Sequence, residues 1–173
     1  VKTKNELYQY LKAKDERQKT KVFVNGNNDL LMQLSEGMDR VVYKTKDERL
    51  KAKDRSPFLE VEWNGKNIKT KLVGEYNYEN VMAAITIGRH FNVEDELIIE
   101  ALESYCPTNN RSQYIKTDKN EIVMDAYNAN PTSMSHSIKN FRNISGDEHL
   151  LILGDMRELG HESAEEHHKI IML

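Results

Sequence analysis

The sequence has little cysteine, little proline and no long hydrophobic run. Cys106 is the only cysteine among the 173 residues, which excludes a disulfide framework and is typical of a reducing compartment. No apolar run approaches the roughly 18 residues that a membrane-spanning helix needs. The basic first residues are not followed by the apolar segment of a secretory signal. We therefore expect a soluble, cytosolic protein without a membrane partner.

The sequence also lacks the common patterns of phosphate and metal sites. None of the 8 glycines lies in Gly-x-x-x-x-Gly-Lys-Ser/Thr or in Gly-x-Gly-x-x-Gly, the patterns whose backbone N–H groups hold phosphates. His161, His167 and His168 are close in sequence, but they lack the spacing of a zincin motif and have no cysteine nearby. We expect no metal site within the chain.

The composition is polar for the length. The hydrophobic fraction is 38%, below the roughly 45–50% usual for a globular domain, although the length suffices for one domain or two small ones. Residues 1–56 carry 14 basic and 9 acidic side chains. Acidic residues alternate with these lysines, and no aromatic residues are interleaved as in an RNA-binding motif. We interpret this part as a solvated face and expect no nucleic-acid partner.

Hydrophobic periodicity predicts helix, strand, helix and strand in the first 45 residues. Residues 4–14 have helical spacing, residues 22–25 form a short strand, a second helix starts at Asn28, and residues 41–43 form a second strand. This order is typical of a parallel α/β sheet.

An antiparallel hairpin is predicted next. Residues 58–63 and 68–72 alternate between apolar and polar side chains, and Asn64-Gly65 lies between them. Asn-Gly suits a type I′ turn, which requires a positive φ at both central residues.

The remaining chain divides at residue 110. Two helices are predicted at residues 77–91 and 93–105, and the turn-forming segment 107–110 ends the second one. A further series follows: a strand at 122–125, a helix at 131–143, a strand at 150–154 and a helix from Ser163, where Ser163 and Glu166 match a capping box. We predict two α/β domains, 1–110 and 111–173.

Polar residues follow the predicted strand at 122–125. In parallel α/β sheets, ligands bind beyond the carboxyl ends of strands, where helix N-termini offer N–H groups. Asp125 is placed to bind a ribose hydroxyl or an ammonium group, and Asn128 and Asn130 offer donors and acceptors to an amide or a carboxylate. The pattern fits equally a loop acid at Asp125 and an N-cap at Asn130.

Other polar residues allow similar alternatives. Asn77 and Asn80 share one face of a first helical turn, where their amides can pair with adenine or cap the helix. Arg111 lies in the boundary segment and suits a nucleotide phosphate or ribose, or a surface salt bridge. Asp155 follows the second predicted strand of the series, at 150–154, and we interpret Asp155 and Glu158 as structural or domain-closure residues.

Four motifs occur in the order found in the Mur ligase family. They are Gly74-Glu75-Tyr76-Asn77-Tyr78-Glu79-Asn80, Asn109-Asn110-Arg111-Ser112-Gln113, Asp125-Ala126-Tyr127-Asn128-Ala129-Asn130-Pro131 and Leu153-Gly154-Asp155-Met156-Arg157-Glu158-Leu159-Gly160. The last two are similar to those of the family member that adds D-alanyl-D-alanine, and the resemblance covers essentially the whole chain. Tyr76 stands where the family often has histidine.

The resemblance implies an α/β fold in two parts. Residues 1–110 correspond to the later part of the central ATPase domain, with an antiparallel hairpin beside its sheet. Residues 111–173 correspond to the first half of a Rossmann-like C-terminal domain. The family's phosphate loop, magnesium ligands and carbamylated lysine lie before Val1 in this comparison. We therefore expect a fragment without catalytic residues or metal ligands that does not turn over ATP alone.

The implied activity of the full-length enzyme is a ligation in cytoplasmic peptidoglycan precursor synthesis. Its implied cofactors are ATP and Mg²⁺, and a monomeric enzyme joins UDP-N-acetylmuramoyl-tripeptide to D-alanyl-D-alanine through an acyl phosphate. The implied nucleotide-binding residues are Asn77, Asn80, Arg111 and Asp125, and the implied dipeptide cleft contains Tyr127, Asn128 and Asn130.

Two alternatives remain open. The first keeps the enzyme class and changes the substrate: another amino-acid ligase of the family, such as a folate-polyglutamating one, although the string from Tyr127 to Pro131 argues against it. A non-catalytic binding module with a Mur-like surface is the better interpretation if the 173 residues are the whole natural product.

Overall fold

The computed structural model describes residues 2–14, 20–44, 57–144 and 148–173. In chain order, the elements are α1 (Lys2–Lys14), β1 (Val22–Asn25), α2 (Asp29–Leu34), β2 (Arg40–Tyr43), β3 (Phe58–Trp63), β4 (Lys66–Val73), a 3₁₀ turn (Glu75–Asn77), α3 (Tyr78–His90), α4 (Asp95–Ser104), β5 (Gln113–Lys116), β6 (Glu121–Met124), α5 (Pro131–Phe141), a second 3₁₀ turn (Gly160–Glu162) and α6 (Ser163–Ile171). The chain forms two compact units, Val1–Glu48 with Glu79–Ile98 and Arg49–Tyr78 with Ile99–Leu173. In the described ranges, no helix combines the length and the apolar character needed to cross a bilayer.

The first unit contains the predicted parallel pair. β1 and β2 are parallel, with Val24 opposite Val42, and the intervening α2 begins at the N-cap Asn28, whose side chain accepts the Leu31 N–H at 3.0 Å. The side chains buried in this unit include Val24, Met38, Val81, Ile85 and Ile98. The predicted order of helix and strand is confirmed here.

The second unit contains the predicted hairpin. β3 and β4 are antiparallel, with Trp63 opposite Lys66. The two turn residues have positive φ, 49° at Asn64 and 74° at Gly65, as a type I′ turn requires. The buried apolar side chains of the hairpin are Leu59, Val61, Ile68 and Val73. The local sequence signal was therefore sufficient to predict this element.

A second antiparallel pair, β5 with β6, was not predicted. Gln113 lies opposite Met124 and Lys116 opposite Glu121. The connecting turn is closed by the Thr117 N–H, which donates to the Asn120 carbonyl at 2.9 Å. Strand β6 was predicted, but its partner β5 was missed because we interpreted residues around 107–113 only as a break between domains.

The predicted strand at 150–154 is wrong. Residues 148–157 have no strand structure, and Ile152 is 88% exposed. An apolar segment forms a strand only when its backbone pairs with a neighbour. Within the described residues, β6 pairs with β5, and no strand pairs with this segment.

The last helix packs on a small apolar cluster. Ile138, Met156 and Ile170 are its buried members, and Met134 and Leu159 pack against them. The capping box predicted at Ser163 and Glu166 is wrong, because the second 3₁₀ turn runs directly into α6 and makes Glu162 the N-cap residue without a side-chain bond.

Candidate functional site

Two loops of the second unit are joined at the open end of the β5–β6 hairpin. Because the pair is antiparallel, the residues before β5 lie beside those after β6. The backbone N–H groups of Ala126 and Tyr127 both donate to the Asn110 carbonyl, at 2.7 and 3.1 Å. This connection brings Arg111 next to the loop that begins with Asp125.

The backbone on both sides of Arg111 is in the left-handed region. The φ angle is 57° at Asn110 and 48° at Ser112. Serine adopts this conformation rarely, and such strained residues persist only where surrounding interactions hold them. Ser112 is 4% exposed, and its N–H donates to Asp125 Oδ1 at 3.2 Å.

The Asp125 carboxylate is hydrogen-bonded through both oxygens. Ser112 N–H binds Oδ1, and the Tyr76 hydroxyl donates to Oδ2 at 3.5 Å. The Tyr76 hydroxyl is also 2.6 Å from Ser112 Oγ. Burial raises the pKa of Tyr76, and the negative charge of Asp125 adds to this effect although the Ser112 hydrogen bond opposes it. At neutral pH Tyr76 thus keeps its proton.

The Asn77 side chain also contacts Ser112, the residue that binds Asp125. It is 7% exposed, and its Nδ2 donates to the Val73 carbonyl at 2.8 Å and to Ser112 Oγ at 3.3 Å. The amide nitrogen of Asn77 therefore connects the end of β4 to the loop of Ser112. Sequence reasoning selected Asn77, but it missed this contact.

Arg111 stacks on Tyr127. Its guanidinium carbon lies 3.8 Å from the centre of the Tyr127 ring, which is cation–π geometry. Stacking uses the face of the planar guanidinium, so its in-plane N–H donors remain able to bind an anion. Arg111 and Asp125 thereby offer a cation and an anion at one edge of the same loop pair.

The three residues predicted to bind the dipeptide, Tyr127, Asn128 and Asn130, do not share one environment. Tyr127 and Asn128 line an open cleft of about 870 Å³ in the second unit, together with Asp125 and Ser133. Asn130 is the N-cap of α5: its Oδ1 accepts the Ser133 N–H at 2.9 Å, and the Ser133 hydroxyl completes a capping box. The N-cap alternative for Asn130 is therefore present in the structure.

Asn80 and Asp155 are two further residues that the sequence singled out. Asn80 is exposed in the first turn of α3 and belongs to the first unit. Asp155 also lines the cleft, and the following residue, Met156, is tied to α6. The Met156 N–H donates to His167 Nε2 at 3.0 Å, while His167 Nδ1 lies 2.7 Å from the Ser163 carbonyl. Since a carbonyl only accepts, Nδ1 carries the proton.

Sequence reasoning missed Tyr76 and Ser112 as members of the site. Tyr76 precedes Asn77 and Ser112 follows Arg111, and both neighbours were selected. That adjacency was the signal in the sequence that could have added Tyr76 and Ser112 to the site. Among the described residues, no group of three or more His, Cys, Asp or Glu side chains is arranged to hold a metal ion.

Comparison with known proteins places this loop pair in a family. Residues 110–172 match the family described as Mur ligase, glutamate ligase domain. The UDP-N-acetylmuramoyl-tripeptide–D-alanyl-D-alanine ligase of Bacillus subtilis (strain 168) is 40% identical over 100 residues, covering 57% of this chain and 22% of the relative. Residues 110–172 of the chain are therefore similar to the Mur ligases.

Solved Mur ligase structures agree with the fold. MurF from Acinetobacter baumannii has a TM-score of 0.74 at 22% identity, covering 96% of this chain and 37% of that one. MurF ligase from Thermotoga maritima, solved in complex with ADP, has a TM-score of 0.70 at 21% identity, covering 89% of this chain and 38% of that one. The predicted α/β class and the Mur ligase resemblance are confirmed, and the chain spans well under half the length of these relatives.

Proposed function

We propose that this chain is the nucleotide-facing part of a Mur ligase that joins D-alanyl-D-alanine to UDP-N-acetylmuramoyl-tripeptide in the cytoplasm. The observation that supports it best is the loop pair itself, which holds Arg111 beside Asp125 within the segment that matches the family. The 40% identity with a ligase of this specificity favours the same acceptor.

In this proposal Arg111 and Asp125 bind the nucleotide. The carboxylate of Asp125 accepts hydrogen bonds from ribose hydroxyls, and the guanidinium of Arg111 binds a phosphate oxygen. Asn77 and Asn80 lie on the adenine side. The Asn77 amide nitrogen is already used within the protein, so its contribution to adenine binding is through the shape of the 3₁₀ turn.

Tyr127, Asn128 and Asn130 form the proposed dipeptide side of the cleft. In the reaction, the γ-phosphoryl group passes from ATP to the tripeptide carboxylate, giving an acyl phosphate and ADP. The amine of D-alanyl-D-alanine then attacks the acyl carbon, an amide forms, and phosphate leaves with the loss of one amine proton. Among the described residues, no cluster of His, Cys, Asp or Glu side chains is arranged to hold Mg²⁺.

The test is an acceptor screen with the full-length protein that contains this chain. We expect ADP release that depends on both the tripeptide substrate and D-alanyl-D-alanine, and much less with L-alanine or glutamate. Release with another amino acid would instead support a different amino-acid ligase of the family. No acceptor-dependent release would contradict the proposal and favour a binding module. We expect no ATP turnover from the 173-residue chain alone, because its sequence contains no glycine-rich phosphate loop.

A further inference from the structure

A chain of hydrogen bonds leads from Asn77 to Asp125. Asn77 Nδ2 contacts Ser112 Oγ at 3.3 Å, Ser112 Oγ contacts the Tyr76 hydroxyl at 2.6 Å, and the Tyr76 hydroxyl contacts Asp125 Oδ2 at 3.5 Å. The two ends of this chain fix its direction. An amide nitrogen only donates and an ionised carboxylate only accepts, so the Ser112 hydroxyl donates to Tyr76 and the Tyr76 hydroxyl donates to Asp125.

We propose that Tyr76 is a positioning residue for the nucleotide: its hydroxyl, supplied with a donor by Ser112, sets the rotation of the Asp125 carboxylate that receives the ribose. This role rests on the proposed function. The role of Tyr76 differs from the roles of Arg111 and Asp125, which are proposed to contact the nucleotide directly. Tyr76 instead acts on Asp125 and, through Ser112, on the loop of Arg111.

The geometry makes the hydroxyl, rather than the ring, the important group. Asp125 Oδ1 is held by the Ser112 N–H at 3.2 Å, and the Tyr76 hydroxyl, 3.5 Å from Oδ2, adds a second contact that restrains rotation of the carboxyl group. Ser112 is buried and has a φ of 48°. Without the Tyr76 oxygen, its hydroxyl loses its acceptor in a place that water does not easily reach. Both effects loosen the site and leave the fold largely intact.

The test compares ADP binding by variants of the full-length protein. Tyr76→Phe removes the hydroxyl and keeps the ring. We expect it to weaken ADP binding about three- to tenfold, since it loses part of what a charged hydrogen bond contributes. Tyr105→Phe is the matched control: Tyr105 belongs to the same unit and is exposed, and it lies outside both the hydrogen-bond chain and the lining of the cleft. We expect its affinity to stay within about twofold.

Two further measurements separate positioning from a merely structural role. The first uses 2′,3′-dideoxy-ADP, which lacks the groups that Asp125 is proposed to bind. We expect the wild-type protein to prefer ADP and Tyr76→Phe to lose much of that preference. The second is a double-mutant cycle, in which Tyr76→Phe should add little to Asp125→Ala because both changes act on the same contact.

The outcomes separate the two proposals. A wild-type protein that does not bind ADP would overturn the proposed function and this role with it. ADP binding that depends on Asp125 and is unchanged by Tyr76→Phe would overturn the role of Tyr76 alone. If Tyr76→Phe weakens the binding of ADP and of dideoxy-ADP equally, the role of Tyr76 is likewise overturned. If Tyr76→Phe does not fold, Ser112→Ala interrupts the same chain from its other side and should give the same loss of preference.

Discussion

Two loops of this protein have similar sequences and different structures. Each consists of an apolar segment, an aspartate and a loop leading to a helix: one begins at Asp125 and the other at Asp155. The first follows strand β6 and is bonded to the loop of Arg111. The second follows no strand and is bonded through Met156 to His167 of α6. The comparison teaches that an apolar segment followed by an aspartate fixes the acid between two loops only where the segment pairs as a strand.

The largest expected effect is a loss of folding stability when the packing of the second loop, at Met156, is removed. Met156 is 3% exposed in the apolar cluster of the second loop. Met156→Ala leaves a cavity there, and we expect it to lower the free energy of unfolding by about 2–5 kcal/mol. Chemical denaturation measures this, with the exposed Met172→Ala as control, expected to stay within about 0.5 kcal/mol. Similar values for the two variants would show that the second loop is not anchored by packing.

The second prediction distinguishes the loops by binding. Asp125→Ala removes a carboxylate held by two hydrogen bonds, and we expect ADP affinity of the full-length protein to fall about ten- to a hundredfold. Asp155→Ala, the equivalent change in the other loop, should leave ADP affinity within about twofold. Isothermal titration calorimetry of both variants with ADP measures the two affinities. Equal losses would mean that both acids face the nucleotide and that the contrast between the loops is wrong.

The third prediction concerns the N-cap of the first loop. Asn130→Ala removes the side chain that accepts the Ser133 N–H, so we expect a loss of about 1 kcal/mol in unfolding free energy. The neighbouring Asn128→Ala serves as control, because Asn128 is exposed in the loop before the cap. Asn128→Ala is a control for stability only; if Asn130→Ala also raises the KM for D-alanyl-D-alanine above the wild-type value, Asn130 has the second, dipeptide-binding role as well.

The smallest expected effect concerns the Arg111–Tyr127 stack. Tyr127→Leu removes a cation–π contact at an exposed site, worth about 0.5–1 kcal/mol, so ADP affinity should fall about two- to fivefold. Tyr127→Phe keeps the ring and should retain the affinity. A rise in the KM for D-alanyl-D-alanine with unchanged ADP affinity would instead place Tyr127 on the dipeptide side only.

Local signals explain what the sequence could predict. The Asn64-Gly65 turn and the cap at Asn130 depend on residues within a few positions of one another, and both are present in the structure. Whether residues 150–154 form a strand depends on a distant neighbour, and the periodicity of the segment holds no information about that neighbour.

The same limit applies to the site. Arg111 and Asp125 were selected from motifs, but their connection through Asn110 and Ser112 follows from the β5–β6 pairing that was missed. Tyr76 and Ser112 are 36 residues apart, and neither has a recognisable pattern of its own. Their contact forms only because the fold brings the 3₁₀ turn that contains Tyr76 against the loop that contains Ser112.

The exposed segment 150–153 has a practical consequence for handling the chain. Its four residues are Leu150, Leu151, Ile152 and Leu153, all of them exposed. Consecutive apolar residues without a charge are a template for β-aggregation between molecules. We therefore expect the solubility of the purified 173-residue chain to fall steeply with concentration. A single charge at Ile152 should delay that loss, since it would interrupt the apolar segment at its most exposed side chain.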